Sequence, residues 1–236
     1  MAAEFLEKLK GKKIVFCLPG SYFSGRFLIN FTTLKGLLDA NEVQCYISYS
    51  QGSCLHRLRN ECGGGNIFNG LYQTPFSDKV DYDYLMWIDS DIVFSIESFE
   101  RLVMMDREIA TGWYMQENGS PAHGFINKSY LKYTGKEPVP LYDKNHIYEL
   151  FADTGVTEKT EVYPIDWIGM GWMLIQKGVM ESIKYPWFGP RFVRATETLI
   201  DTLSEDLSFA LAAKEAGYDI WLDPLLKVGH EKIRII

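Results

Sequence analysis

The sequence predicts an α/β fold, a mostly parallel central sheet with helices on both faces, and three observations predict it. Short apolar runs bounded by Gly, Pro or Asp alternate with segments whose apolar residues recur at helical spacing. The order strand, helix, strand, helix calls for right-handed crossovers and hence parallel neighbours. The 236 residues are 47% hydrophobic and 23% charged, which supplies a sizeable core without the composition of a disordered chain.

Each element follows in turn. Residues 3–10 suit a short leading helix. "KKIVFCLPG" is a buried strand stopped by Pro19 and Gly20. Phe27, Leu28, Phe31, Leu34, Leu37 and Leu38 then recur at the spacing of a helix. "VQCYISYS" is a second strand, and Ser53 is placed to cap a helix running to Cys62, ended by the glycines at 63–65. "DYLMWID" is a third strand, followed by a helix from about Ser95 to Asp106, and "IATGWYM" is a fourth. Residues 116–165 are rich in Gly, Pro, Asn and Tyr and lack periodicity. A stretch that long predicts short strands or a mobile loop with a binding role. "DWIGMGWMLIQKGVMESI" reads as a strand leading into a helix. "SEDLSFALAAKEAG" is a helix capped by Ser204 and closed by Gly217, and "YDIWLDP" is the last clear strand. One domain is expected over 1–236, with a ligand-binding half at about 12–115 and a catalytic half at about 116–236.

Composition excludes several classes. The net charge is -7 and no basic run is present, which argues against nucleic acid as the main partner. No apolar stretch reaches the ~18 residues of a membrane span, so no transmembrane segment is expected. "MAAEFLEKLKGKK" has no signal-peptide core. Cys17, Cys45, Cys54 and Cys62 form no C-x-x-C pair and read as reduced, buried thiols of a cytoplasmic protein. The sequons at Asn118 and Asn127 are discounted on the same ground.

The chemistry is concentrated in "YLMWIDSDIVF", an apolar run carrying Asp89 and Asp91. A buried ionised carboxylate is costly unless it is paired or binds a cation. With 14 Asp in the chain, about one D-x-D triplet is expected by chance, and two occur, so position must separate them. "DYD" at 81–83 precedes its strand and reads as a solvated turn. "DSD" at 89–91 ends a strand, the end at which open α/β sheets bind ligands. Two hard oxygen donors there suit Mg²⁺ or Mn²⁺ carrying a diphosphate.

With these residues the chain resembles the GT-A class of nucleotide-sugar glycosyltransferases, over about residues 12–232. In that class a D-x-D at a strand end holds a divalent metal on the donor diphosphate. "LPG" resembles the end of the first strand, where the class places its nucleotide pocket, which implies Leu18, Pro19 and Ser21. "LRN" at 58–60 looks like the helix motif whose Arg faces the nucleotide. "WIGMGWMLI" looks like the Gly-rich strand beside the donor sugar, and "SED" at 204–206 like the acidic pair that supplies the base in inverting members. "VGHEK" supplies a late His of the kind that adds a metal ligand. The loop at 116–165 aligns with nothing in the class, so the acceptor is not named by it.

Read by themselves, the residues carry the same roles less sharply. His230 can complete a metal site with Asp91 and Asp89, and Asp89 and Ser90 are expected at the nucleotide sugar. Arg57 and Arg59 lie two apart on a helix and point differently. Arg59 is expected at the nucleotide, and Arg57 in solvent or on a second phosphate. Lys232 can neutralise diphosphate charge. Glu205 and Asp206 favour a helix start through the macrodipole, or serve as catalytic carboxylates, with Asp206 as the base. Gly169 and Gly171 allow close approach of a ligand or tight strand packing. Trp167 and Trp172 stack on a sugar or fill the core. The expected activity is metal-dependent transfer of a sugar from a nucleoside-diphosphate donor, UDP-linked, to an acceptor hydroxyl with inversion. The acceptor is a glycan, a lipid-linked or a protein-linked group, and a membrane-borne acceptor would make the protein peripheral to a membrane. Two alternatives stand beside it. One is a phosphohydrolase of the haloacid dehalogenase type, whose nucleophile motif is also a strand followed by D-x-D. The other is a sugar-nucleotide or glycan-binding module without turnover.

Overall fold

Side chains alternate across a strand, and in the segment Tyr84–Ile88 both faces of that alternation are buried. Leu85 and Trp87 enter one apolar core, and Met86 and Ile88 enter another. A strand apolar on both faces belongs in the middle of a covered sheet. The computed structural model describes residues 2–115, 123–126, 142–143, 162–194 and 200–232, and there it has this arrangement. Both sequons and most of 116–165 lie outside the described residues.

The described strands in chain order are β1 (Lys13–Pro19), β2 (Gln44–Ser50), β3 (Tyr84–Ile88), β4 (Ile92–Val93), β5 (Ile109–Trp113), β6 (His123–Ile126) and β7 (Tyr142–Asp143). They continue as β8 (Tyr163–Ile165), β9 (Trp167–Ile168), β10 (Trp172–Gln176), β11 (Phe192–Arg194), β12 (Ile200–Thr202), β13 (Ile220–Lys227) and β14 (Gly229–His230). Seven of them make the central sheet, in the order β2-β1-β3-β10-β5-β13-β8. Helices α1 (Ala2–Leu9), α2 (Gly25–Ala40) and α4 (Ile96–Met105) cover one face, through Phe5, Phe31, Leu34 and Phe99. Helix α3 (Leu55–Cys62) and the helix Glu205–Glu215 cover the other, through Cys62, Phe209 and Ala213. The chain is an α/β protein with helices on both faces of a mixed sheet. Among the described residues no helix is long and apolar enough to cross a membrane.

The sheet is less parallel than the sequence suggests. β1 pairs in parallel with β2 and β3, and β5 with β13, but β10 runs antiparallel to both its neighbours and β8 antiparallel to β13. The reason is local. No helical crossover precedes β10, because the chain arrives from β9 through the turn at 169–171, beside the carboxyl end of β3. From there it can only run back down the sheet.

Caps explain where the helices begin. Ser24 accepts the Phe27 N–H at 3.1 Å, and Ser95 and Ser98 form a reciprocal capping box. Ser204 accepts the Leu207 N–H at 3.3 Å. Helix α3 differs from expectation: Cys54, not Ser53, is its N-cap, without a side-chain bond. Cys17 and Cys62 are buried thiols as expected, while Cys45 is half-buried and Cys54 is exposed on that cap. "DYD" is the solvated turn expected, with Asp81 bonded to Lys13 and Lys177 and Asp83 to Lys12. The short strands expected within 116–165 are present where that stretch is described, as β6, β7 and β8.

Candidate active site

Parallel strands β1, β3 and β5 end on the same side of the sheet, and the chain segments that leave them frame a cavity of about 640 Å³. Its walls come from the end of β1 (Pro19, Ser21), the turn after β3 (Asp89, Ser90, Asp91), and the glycine turn before β10 (Gly169). The start of the helix Glu205–Glu215 and the segment His230–Lys232 close it.

The turn after β3 is held by its own backbone. The Ile92 N–H donates to the Asp89 carbonyl at 3.0 Å, and the Asp89 N–H to the Gly171 carbonyl at 3.0 Å. β4 then pairs with β14, His230 opposite Ile92, and the Glu231 N–H donates to the Asp91 carbonyl at 2.7 Å. That pairing brings His230 to Asp91. Nε2 of His230 lies 3.0 Å from Asp91 Oδ2, and Lys232 Nζ donates to the same oxygen at 2.7 Å. Burial pushes the Asp91 carboxyl up, but the bonds from His230 and Lys232 prevail and hold it down at about 2. The hydrogen bond to Asp91 raises the His230 imidazole above its ordinary value, with burial opposing and the Met115 carbonyl assisting. Nδ1 of His230 lies 2.8 Å from that carbonyl, which can only accept, so Nδ1 carries the proton and Nε2 is the nitrogen turned to Asp91.

Arg59 ties the other carboxylates together. Its Nη1 and Nη2 donate to both oxygens of Asp89 at 2.9 and 3.1 Å. Its Nε reaches Glu205 at 3.5 Å, and Nη2 lies 3.3 Å from Asp206 Oδ1. Arg59 is 3% exposed, so its charge is spent on protein carboxylates. Burial works against that charge, and Asp89, Asp206 and Glu205 outweigh burial and raise its pKa. One guanidinium faces three carboxylates, and the excess negative charge falls on Asp206. Burial pushes the Asp206 carboxyl up to about 7, with Glu205 and Asp89 adding to the rise and Arg59 and the Met170 N–H opposing it. Arg59 Nη2 is an ion-pair neighbour at 3.3 Å without a hydrogen bond to Asp206 Oδ1, and among the described residues no other side chain or backbone group bonds that oxygen. A partly buried carboxylate that lines a cavity and is pushed up toward neutrality is equipped to take a proton.

Most of the residues singled out in the sequence meet in this cavity: Pro19, Ser21, Arg59, Asp89, Ser90 and Asp91 on one side, and Gly169, Glu205, Asp206, His230 and Lys232 on the other. Four do not. Leu18 is buried in the core on the α2 side. Trp172 is fully buried and stacked on Phe94, with ring centroids 4.8 Å apart, so it is core and not a sugar platform. Gly171 is a glycine for packing, since a Cβ there would stand 2.9 Å from the Tyr114 hydroxyl. Arg57 is exposed, bonded to Glu61 at 2.6 Å, and borders a neighbouring cavity of about 270 Å³. Trp167, left open between sugar and core, lines the main cavity.

The expected ligand trio of Asp89, Asp91 and His230 is not assembled. Among the described residues no three His, Cys, Asp or Glu side chains are grouped to hold a metal, and Asp89 is turned to Arg59. The Asp91–His230 pair does fit a divalent ion. It combines a carboxylate oxygen with an imidazole nitrogen whose partner nitrogen is anchored on a carbonyl, the arrangement typical of metal-ligating histidines. Such an ion takes its remaining ligands from water and phosphate.

The sequence reading missed Tyr114, which lines the cavity and is 7% exposed. Burial, then Asp89 and Asp206, push its phenol above the ordinary value. One signal was available: Tyr114 is the first residue past β5, as Asp89 is the first past β3. Gly20 was also overlooked as a determinant of the site. Its φ of 149° is unfavourable for other residues, and an added Cβ would overlap Ser90 Oγ and stand 2.5 Å from Ser90 Cβ. Gly20→Ala is therefore expected to destabilise the protein by ~1–3 kcal/mol. It should also displace the DSD turn, which denaturant melts with a crystal structure of the variant would reveal. An unchanged midpoint would mean that Ser90 yields freely.

A scan against protein-family models finds no match, and a search of curated proteins finds none. A comparison with solved structures finds similarity to the protein described as "Crystal Structure of A197 from STIV", at 15% identity and a TM-score of 0.47, covering 95% of this chain and 96% of that one.

Proposed function

We propose that the chain is a GT-A glycosyltransferase that uses a divalent metal, Mn²⁺ or Mg²⁺, and a nucleoside-diphosphate sugar, UDP-linked, to glycosylate an acceptor hydroxyl with inversion. The observation that carries this reading is that Asp206, a partly buried carboxylate beside Arg59 and pushed up to about 7, shares one cavity with the Asp91–His230 pair. A base and a cation-binding corner in one cavity are what sugar transfer from a diphosphate requires. Bound at Asp91 and His230, the metal would neutralise charge on the leaving diphosphate. Lys232, 40% exposed in its side chain, can turn from Asp91 to a phosphate oxygen. Asp206 takes the proton of the acceptor hydroxyl as that oxygen attacks the anomeric carbon. Arg59, itself held by Asp89 and Glu205, holds the base in place. The phosphohydrolase alternative requires Asp89 free to attack phosphorus, and Arg59 engages both its oxygens. The binding-module alternative differs only in turnover.

The test is a thermal-shift panel. UDP or a UDP-sugar is expected to raise the melting temperature in Mn²⁺ or Mg²⁺ and not in EDTA. Saturation at a hundred times the dissociation constant stabilises by ~2.7 kcal/mol. Equal shifts in EDTA and in Mn²⁺ would remove the metal from the proposal.

A further inference from the structure

The turn at 169–171 turns backbone groups toward three residues of the cavity. The Met170 N–H faces the Asp206 carboxylate and favours its ionised form, the Gly171 N–H donates to the Tyr114 hydroxyl at 3.3 Å, and the Gly171 carbonyl accepts from the Asp89 N–H. Tyr114 is thus anchored one residue from the base and on the same residue as the DSD turn. Its ring also meets the His230 ring edge-on, with centroids 5.0 Å apart. The hydroxyl oxygen accepts the Gly171 proton, but among the described residues its own O–H has no acceptor. A buried donor left unmade is costly, and this one lines a cavity.

We propose that Tyr114 is a binding and specificity residue whose O–H donates to an oxygen of the transferred sugar. This rests on the glycosyltransferase reading and deepens it. The phenol is anchored through one turn to the base and packs against the metal-binding histidine. The atom that belongs beside both is on the group passing between acceptor and diphosphate. A diphosphate oxygen would be served by Lys232 and the Asp91–His230 corner instead. A donor placed to bond one sugar oxygen discriminates strongly against a sugar lacking it, because the phenol is then left unpaired.

Tyr114→Phe keeps the ring, its contact with His230 and its packing on Gly171, and removes the O–H together with the oxygen that accepts the Gly171 N–H. Dissociation constants are measured in Mn²⁺ for UDP and for UDP-glucose, UDP-galactose and UDP-N-acetylglucosamine, alongside donor hydrolysis. The variant is expected to bind UDP as wild type does. It should bind the preferred UDP-sugar about 10-fold more weakly, and the preference among the three sugars should narrow. Equal losses for UDP and UDP-sugar, or a lower melting temperature with all affinities unchanged, would overturn the proposal and leave Tyr114 as a support for the Gly171 N–H. A wild type that binds none of the four in any metal would overturn the parent reading, and this one with it. Binding of UDP with no gain from any sugar would overturn this inference alone.

Discussion

Arg59→Met is expected to lower stability by about 3–5 kcal/mol, the loss typical of removing one partner from a buried ion pair. Methionine fills a similar volume, so the effect reports charge. Without the guanidinium, Asp89 loses two bonds, and Glu205 and Asp206 lose the cation that sits 3.5 and 3.3 Å from them. Urea melts at pH 7 measure the loss, and melts in acid, where carboxylates are neutral, should show a smaller one. A loss below ~1 kcal/mol at pH 7 would mean that solvent or another cation already balances these acids. The same variant should also lose activity, because the helix Glu205–Glu215 and the DSD turn share this one fastening.

Asp206→Asn is expected to retain donor binding and to lose about 10²–10⁴ in the rate of transfer or donor hydrolysis. The wild-type rate should rise about tenfold per pH unit below about 7 and level off above it, since only the ionised carboxylate accepts a proton, and the variant should show no such limb. Stability carries the opposite sign. The folded-state pKa of about 7 lies above the ordinary 3.8, so the contribution of Asp206 is fully present below 3.8 and is lost as pH rises through 7. Between pH 5 and 8 the wild type should therefore lose stability relative to Asp206→Asn. Glu205→Gln should slow the rate less, because its side chain leaves the helix about 100° away and contacts Arg59 Nε. Wild-type turnover in Asp206→Asn would reduce "SED" to a helix start.

Much of this was legible in the sequence because it is local. The strands β1, β3 and β5 are apolar runs, α2 and the helix Glu205–Glu215 have caps, and the DSD triplet announces itself by lying where a strand stops. What escaped was pairing at a distance. Nothing near Arg59 indicates that it meets Asp89, Glu205 and Asp206, so a residue read as a nucleotide contact is engaged by protein acids. Nothing in "WIGMGWMLI" separates Trp172, packed on Phe94, from Trp167, which lines the cavity. Tyr114 is hidden in "IATGWYM", where an aromatic residue reads as core. The direction of β10 follows from the missing crossover before it, which the residues of the strand themselves do not encode.

The pairing of β4 with β14 has a consequence in time. Asp91 and His230 stand 139 positions apart, and at ~5–20 residues per second a ribosome takes roughly 7–28 s to make that interval. Arg59 and Asp89 are only 30 positions apart. Asp89 thus has its cationic partner already synthesised when it is made, while Asp91 waits for the last of the described strands. In the order of synthesis Arg59 and Asp89 come first, Glu205 and Asp206 follow, and His230, the partner of Asp91, comes last.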